Sequence, residues 1–479
     1  MADRWCATSV SMLRSEVPSD RERAAATLRN LAATNAGHRR AIVEAGAVPL
    51  LVELLAGGAK SGREQAAGAL KAVAFGVEQQ RALIGAGAVP PLVDAARSGE
   101  PALQEQAAAA IAYLVASNEE HRRAIVAAGA LPVLITLLCN GPLQCKEQAA
   151  AALRYLVLKN EAHEQELVAA DGMPPLVEIL RTGSPKGQEH AAGTLRNMVI
   201  NNNAVTERAV MRAGAAPALI ELLGTDYQEV RRQVIGSLMC LVDRMVEFLE
   251  SDSLENQEQG SYAVMYLSSI AAEHRRAIVA EGALPPLVGL LRTGSAVAQR
   301  QSAAALGHLV DGNAEHEEAA VAAGALEPLV ELLTAGQPQV QDRAAFALGA
   351  IAAGRNHAHQ KLILKAGAVG SLVALLDPST GCAQEVAASA LAVLALAGFE
   401  AQRAIVDAGA LAALVALLGD GGPGAQTQAS RALAQLAEKH ADNIVNAGAL
   451  PALQAVEDGK GPEEARSAAA AALRALGAG

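Results

Sequence analysis

The segment His38-Arg39-Arg40-Ala41-Ile42-Val43-Glu44-Ala45-Gly46-Ala47-Val48-Pro49 decides how the chain is organised, because it recurs. Close copies run from His121 to Pro132 and from His274 to Pro285, with looser ones elsewhere. The glycine of the motif falls at 46, 87, 129, 172, 214, 282, 324, 367, 409 and 448. A second anchor lies in an Ala-rich run, as Leu28, Leu70, Ile111, Leu153, Leu195, Leu238, Val264, Leu306, Leu348, Leu391, Leu433 and Leu473. Both series keep a period of about 42 residues, the mark of a repeat array.

Each unit reads as three helices. The first runs from near the histidine to the Ala-Gly, and its glycine suits the left-handed position that ends a helix. A proline soon after it, such as Pro49, Pro132 or Pro328, suits the first turn of a second helix carrying Leu51-Val52-Glu53-Leu54-Leu55 or its copies. A Gly/Ser/Pro turn such as Gly183-Ser184-Pro185 leads to the longest helix. There, apolar residues recur at three- and four-residue steps, as in Glu147 to Leu156.

Composition agrees. The 479 residues are 51% hydrophobic but only 2% aromatic, so burial must come from Ala, Leu and Val on closely packed helices. A chain of this length exceeds what one compact core normally holds. The longest uncharged stretch, Ala124 to Cys145, is interrupted by Gly129, Pro132 and Asn140-Gly141-Pro142, so no direct membrane insertion is expected. Five cysteines without C-x-x-C spacing suggest neither a disulfide framework nor a zinc site, which fits a cytoplasmic or nuclear setting. The net charge of -11 argues against a nucleic-acid partner.

The period, with Ala45-Gly46-Ala47-Val48-Pro49-Leu50-Leu51-Val52-Glu53-Leu54-Leu55 and Thr27-Leu28-Arg29-Asn30-Leu31-Ala32, resembles the armadillo repeat family over essentially the whole chain. It looks most like the vacuolar-protein-8-like and plant U-box armadillo arrays, without a visible U-box. The resemblance implies an all-α, right-handed α-solenoid of about twelve repeats.

Residues 1–35 form a truncated first unit, 36–243 five complete units, 244–271 a shortened unit and 272–479 five more, all in one solenoid. The shortened unit lacks its first helix. The glycine series predicts anchors at 256 from one side and 240 from the other, so 16 residues are missing near Asp243. The deficit is either a bend built into the protein or a defect of the coding sequence. The third helix, read as Glu229 to Val242, and the second, opening at Met245, could fuse across the gap.

No catalytic constellation stands out. His38, His121, His274, His316, His359 and His440 each precede their glycine by eight residues, and His163 precedes its own by nine. Equivalent positions in stacked repeats are about 10 Å apart, too far to share a metal. They read as surface or capping positions. No enzyme activity, cofactor or metal is therefore expected.

In the armadillo family, two third-helix positions four residues apart form a ladder along a concave groove that holds extended peptides. By resemblance, that ladder here includes Asn30, Tyr113, Tyr155, Asn197, Tyr262, Tyr266, His308 and Phe346, with no Trp. Nuclear transport adaptors rely on Trp and Asn there, which disfavours that role. Five of the ten aromatics fall on the ladder. Basic residues precede its second position at Arg29, Lys71, Arg154, Arg196 and Arg474. A groove centred on Arg154, Tyr155, Arg196 and Asn197 would hold an extended, partly acidic segment, since Tyr combines contact area with a polar tip. The other reading is that these tyrosines fill space between small neighbours. The expectation is a monomeric, non-catalytic scaffold for other proteins, with substrate recognition within a ubiquitin ligase as the alternative.

Overall fold

Ala-rich helices have little bulk with which to fill a thick core, so they bury one another by close approach. The computed structural model of the chain describes residues 2–201, 203–354, 356–377, 383–459 and 462–477. Among these, 33 α-helices and one 3-10 turn follow one another, and no strand occurs. The fold is all-α. It divides into two compact units, Met1–Leu241 and Val242–Gly479.

A typical repeat consists of the helices Glu119–Ala127, Ala130–Asn140 and Leu143–Leu156. Within each compact unit, every third helix packs on the third helix of the next repeat. The twelve residues of the second anchor series are all at most 2% exposed, so the leucine period marks the core. The uncharged stretch Ala124 to Cys145 is divided among three helices, the first two bent by 80° to each other, and among the described residues no single helix is long and apolar enough to cross a membrane.

The anchor glycines do what their positions require. Gly46, Gly129, Gly214, Gly409 and most of the rest adopt φ between 72° and 83°. The exception is Gly172, at φ -75°. In that repeat the left-handed residue is Asp171, at φ 54°. Counted from Asp171, His163 lies eight residues back like the other histidines, so the one-residue irregularity in the sequence is an irregularity of the glycine.

The histidine register is structural, but the surface reading fails at His121, His316 and His359, which are buried. Asn35, Asn118, Asn160 and Asn313 cap the first helices by accepting from the backbone N–H of His38, His121, His163 and His316. The Nδ1 atoms of His163 and His316 lie 2.7 and 2.8 Å from the carbonyls of Leu156 and Leu309. One residue further on, Arg39, Gln80, Arg122, Arg275, Gln360 and Gln402 donate to carbonyls at the end of the preceding third helix. Those carbonyls have no partner inside the helix.

Neighbouring repeats are also latched through carboxylates. Glu22, Glu147 and Glu258 accept from Ser61, Ser184 and Ser295 near the start of the following third helix. Several acidic side chains of the third helices are therefore committed to holding the stack together.

Where 16 residues are missing, helix Gln228–Met239 ends at Cys240 and the next begins at Val242, so the two are not fused. Helix Leu254–Ile270 follows directly, with no short helix between. The truncated first unit consists of the helices Ala2–Leu13 and Pro18–Thr34.

Charge divides unevenly. Residues 1–241 carry 24 Lys and Arg against 24 Asp and Glu, which leaves 15 against 26 for residues 242–479. The whole net charge of -11 thus belongs to the second unit, and the first is neutral.

Candidate partner-binding face

The third helices present their ladder residues in rows, and the small residues between them determine what the large ones can do. In residues 1–241, Gly68, Gly193 and Gly236 occupy first-ladder positions. A Cβ at each would fall within 3 Å of a side-chain atom of Arg29, Arg154 or Arg196 from the preceding repeat. The arginines therefore lie across the glycines of the next helix. The basic row and the glycines are two halves of one packing arrangement.

Arg154 is further committed. Its Nη1 lies 3.3 Å from Glu189 Oε1, with side-chain exposures of 18% and 11%, and its guanidinium sits 5.8 Å from the centre of the Tyr155 ring. Lys186 donates to the other Glu189 oxygen at 2.6 Å. Burial opposes ionisation of Glu189, yet Lys186, His190 and Arg154 together hold its carboxyl below the ordinary value. Arg196 is less well served, since its Nε is buried without a hydrogen-bond partner. Burial lowers the Lys71 ammonium, opposed by Glu105 and reinforced by Arg29.

Asn197 donates its side-chain N–H to the backbone carbonyl of Arg154 at 2.7 Å, across adjacent repeats. Arg154, Tyr155 and Asn197 are thus brought together, with one amide hydrogen of Asn197 occupied inside the protein. Asn30 is exposed on helix Pro18–Thr34.

Tyr113 is half-buried. Its ring centroid lies 4.3 Å from that of Phe75, and the Arg39 guanidinium sits 5.6 Å over Phe75. Phe75, 46% exposed, was missed by sequence reasoning because it follows the third helix. Burial pushes the Tyr113 phenol up, partly offset by Lys186.

In residues 242–479, Tyr262 and Tyr266 are ring neighbours at 6.3 Å on one helix, and His308 and Phe346 at 5.1 Å on adjacent helices. The Phe346 ring covers Gly307, where a Cβ would lie 2.4 Å from it. Burial lowers the His308 imidazole, with Arg343 and Arg275 acting the same way.

Half-burial thus serves both readings of the aromatics. Tyr113 and Phe346 pack on neighbours. Yet the phenolic oxygens of Tyr113, Tyr155, Tyr262 and Tyr266 have no hydrogen-bond partner among the described residues.

His190, beside Glu189, has its imidazole pushed down to about 4 by burial, with Lys186 and Arg154 adding and Glu189 opposing. Its Nδ1 is buried and unpartnered. The folded value lies below the unfolded one, so this residue costs no stability above pH 6.5. Stability is lost as pH falls from about 6.5 to about 4, where the unfolded chain alone gains the proton, by at most about 3 kcal/mol. Urea unfolding of wild type and His190→Gln across that range is expected to show a flatter profile for the variant. Parallel profiles would exclude the assignment.

No group of three or more metal-ligating side chains occurs among the described residues. Cys139 and Cys145, six residues apart around a turn, approach opposite neighbours: the Ala170 carbonyl for Cys139 and the Pro101 carbonyl for Cys145. Burial and Glu105 push the Cys145 thiol up to about 11. Cys382 lies outside the described residues.

Helices stacked in this repeating order define an α-solenoid of short repeats. Residues 35–71, 76–116, 118–158, 160–200 and 272–311 match the family model described as Armadillo/beta-catenin-like repeat. Those five stretches are armadillo-like repeats. An engineered protein of known crystal structure is 29% identical, covering 99% of this chain and 99% of its own, with a TM-score of 0.44. A second engineered protein is 36% identical, covering 50% of this chain and 99% of its own, with a TM-score of 0.47. A designed armadillo repeat protein in complex with the peptide (KR)4 is 28% identical, covering 49% of this chain and 98% of its own, with a TM-score of 0.43. No curated protein matches the sequence.

Proposed function

We propose that the chain is a non-catalytic scaffold that holds partner proteins as extended segments against its third helices. The observation that supports this reading best is the set of half-buried tyrosines whose hydroxyls lack a partner. Tyr155 is the clearest, because its ring lies beside the Arg154 guanidinium and next to Asn197. A side chain so placed offers a rigid apolar wall and a free polar tip. Tyr262 and Tyr266 offer a comparable pair in the second unit. Substrate recognition within a ubiquitin ligase would use the same surface. The thiols of Cys139, Cys145 and Cys240, which form no disulfide among the described residues, suit a cytoplasmic or nuclear setting.

Peptides selected from a random library on the wild-type protein test this directly. Tyr155→Ala is expected to weaken the selected peptides about 30-fold, a hot-spot loss of about 2 kcal/mol, while leaving the melting temperature nearly unchanged. Tyr155→Phe separates the ring from its hydroxyl. Selected peptides that bind Tyr155→Ala and Tyr266→Ala as tightly as wild type would exclude the face.

A further inference from the structure

A cavity of about 620 Å³ opens beside Tyr155, between the first helices Glu119–Ala127 and Glu161–Ala169. Tyr155, Val126, Ala127, Leu156 and Leu158 supply its apolar lining. Leu158 is 40% exposed, although it adjoins the end of a buried helix. The volume falls in the range of sites that accept small ligands or a few peptide side chains.

The charged lining is mostly spoken for, and what remains is positive. Glu119 is paired with Arg122 at 2.9 Å and with Arg123 at 3.5 Å. Its carboxyl is held below the usual value by its hydrogen bond to Arg122, against slight desolvation. Arg122 also donates to the Val115 carbonyl, and His163 is bonded to Leu156. Lys159 has neither a hydrogen bond nor an ion pair among the described residues.

The backbone at Lys159 adds an independent observation. Its φ is 56°, one of two positive values at described residues other than glycine. It immediately precedes the capping Asn160. The matching residue before the capping Asn313 is Gly312, at φ 68°. A left-handed conformation costs a side-chain-bearing residue roughly 1–2 kcal/mol and glycine almost nothing. Lysine thus stands at a strained position that glycine fills elsewhere in the chain, and it forms no ion pair with Glu119, Glu161 or Glu164, the carboxylates that line the two cavities it borders. Strain of this kind often accompanies function.

We propose that this cavity is a subsite for one acidic residue and its apolar neighbour in a bound protein segment. The carboxylate meets Lys159 and Arg123, and the apolar side chain packs among Tyr155, Val126 and Leu158. The proposal rests on the peptide-binding reading above, because Tyr155 belongs both to the third-helix face and to the cavity wall. It narrows the partner to a segment with Asp or Glu beside an aliphatic or aromatic residue.

The test uses the full chain and the probe acetyl-Leu-Asp-amide, with acetyl-Leu-Asn-amide as its neutral isostere and inorganic phosphate as a rival anion. Binding is followed by NMR of the backbone amides of residues 119–127 and 155–163. The Asp peptide is expected to shift these amides with an affinity about tenfold above that of the Asn peptide, falling as salt rises. Lys159→Gly relieves the backbone and should fold as well as wild type while losing that tenfold preference. Arg123→Gln should reduce it, and Tyr113→Ala should leave it unchanged. Absence of local shifts, equal binding of both peptides, an unaffected Lys159→Gly variant, or phosphate shifting the amides where the Asp peptide does not would each overturn the proposal. Because the probe needs no library-derived partner, failure of the random selection leaves this test standing, and failure here leaves the third-helix face standing.

Discussion

Glu317→Ala is expected to destabilise residues 242–479 by about 3–5 kcal/mol, the cost of removing one partner from a buried polar pair. Glu317 and His359 sit on the first helices of adjacent repeats, Ala314–Ala322 and His357–Lys365. Their side chains are only 3% and 5% exposed, with Glu317 Oε1 at 2.6 Å from His359 Nδ1. Without the carboxylate, His359 Nδ1 has no partner in a place water does not reach. Gly354 makes room for the pair, because a Cβ there would collide with the Glu317 carboxylate. Glu318, which bonds the other ring nitrogen at 3.0 Å, is 70% exposed. Glu318→Ala should therefore cost about 0.5 kcal/mol or less. Glu317→Gln keeps a hydrogen-bonding partner for His359 and should fall between the two. Urea unfolding, with hydrogen exchange read at residues 357–365, checks the order. Equal effects of Glu317→Ala and Glu318→Ala would exclude the buried pair as a stabilising element.

The second large effect belongs to Gly260. Other third helices carry Ala at the equivalent position, apart from Val234 and Ser302. Here the helix Leu254–Ile270 meets Val242–Leu249, the helix that follows the missing residues. A Cβ on Gly260 would lie 2.9 Å from Phe248 Cβ and 3.0 Å from the Met245 carbonyl oxygen. Neither atom can move without moving a helix. Gly260→Val is expected to cost about 3 kcal/mol, the upper end of ordinary overpacking. Gly289→Ala is the control. It is an exposed glycine inside helix Leu284–Thr293 with open space around it, so alanine should stabilise by up to about 1 kcal/mol. Thermal melts of the two variants should move in opposite directions, and a Gly260→Val variant melting with wild type would refute the close approach.

Period and glycine punctuation made the fold legible, because both follow from local rules that every repeat obeys. The exception at Gly172 shows where such rules stop. A residue other than glycine, Asp171, took the left-handed position, and no pattern in the motif announced it. The candidate face was legible in its residues but not in their commitments. Arg154 and Asn197 are where the ladder register places them. Their use within the protein depends on Glu189 and on a backbone carbonyl 43 residues away. Phe75 and Lys159 escaped because they lie past the helix end, outside any periodic position. The signal that was available and unused is the agreement between arginine in one unit and glycine in the next, at 29 and 68, 154 and 193, and 196 and 236.

That agreement has a consequence for how such an array can be lengthened or shortened. Each arginine belongs to one unit and the glycine beneath it to the following one, so the heritable module straddles two repeats. A duplication or excision cut at the visible motif would leave an arginine facing a methyl group, or a bare glycine with nothing over it. Cuts that carry the pair together keep the stack intact, so recombination among units of this chain is restricted to frames that preserve both halves.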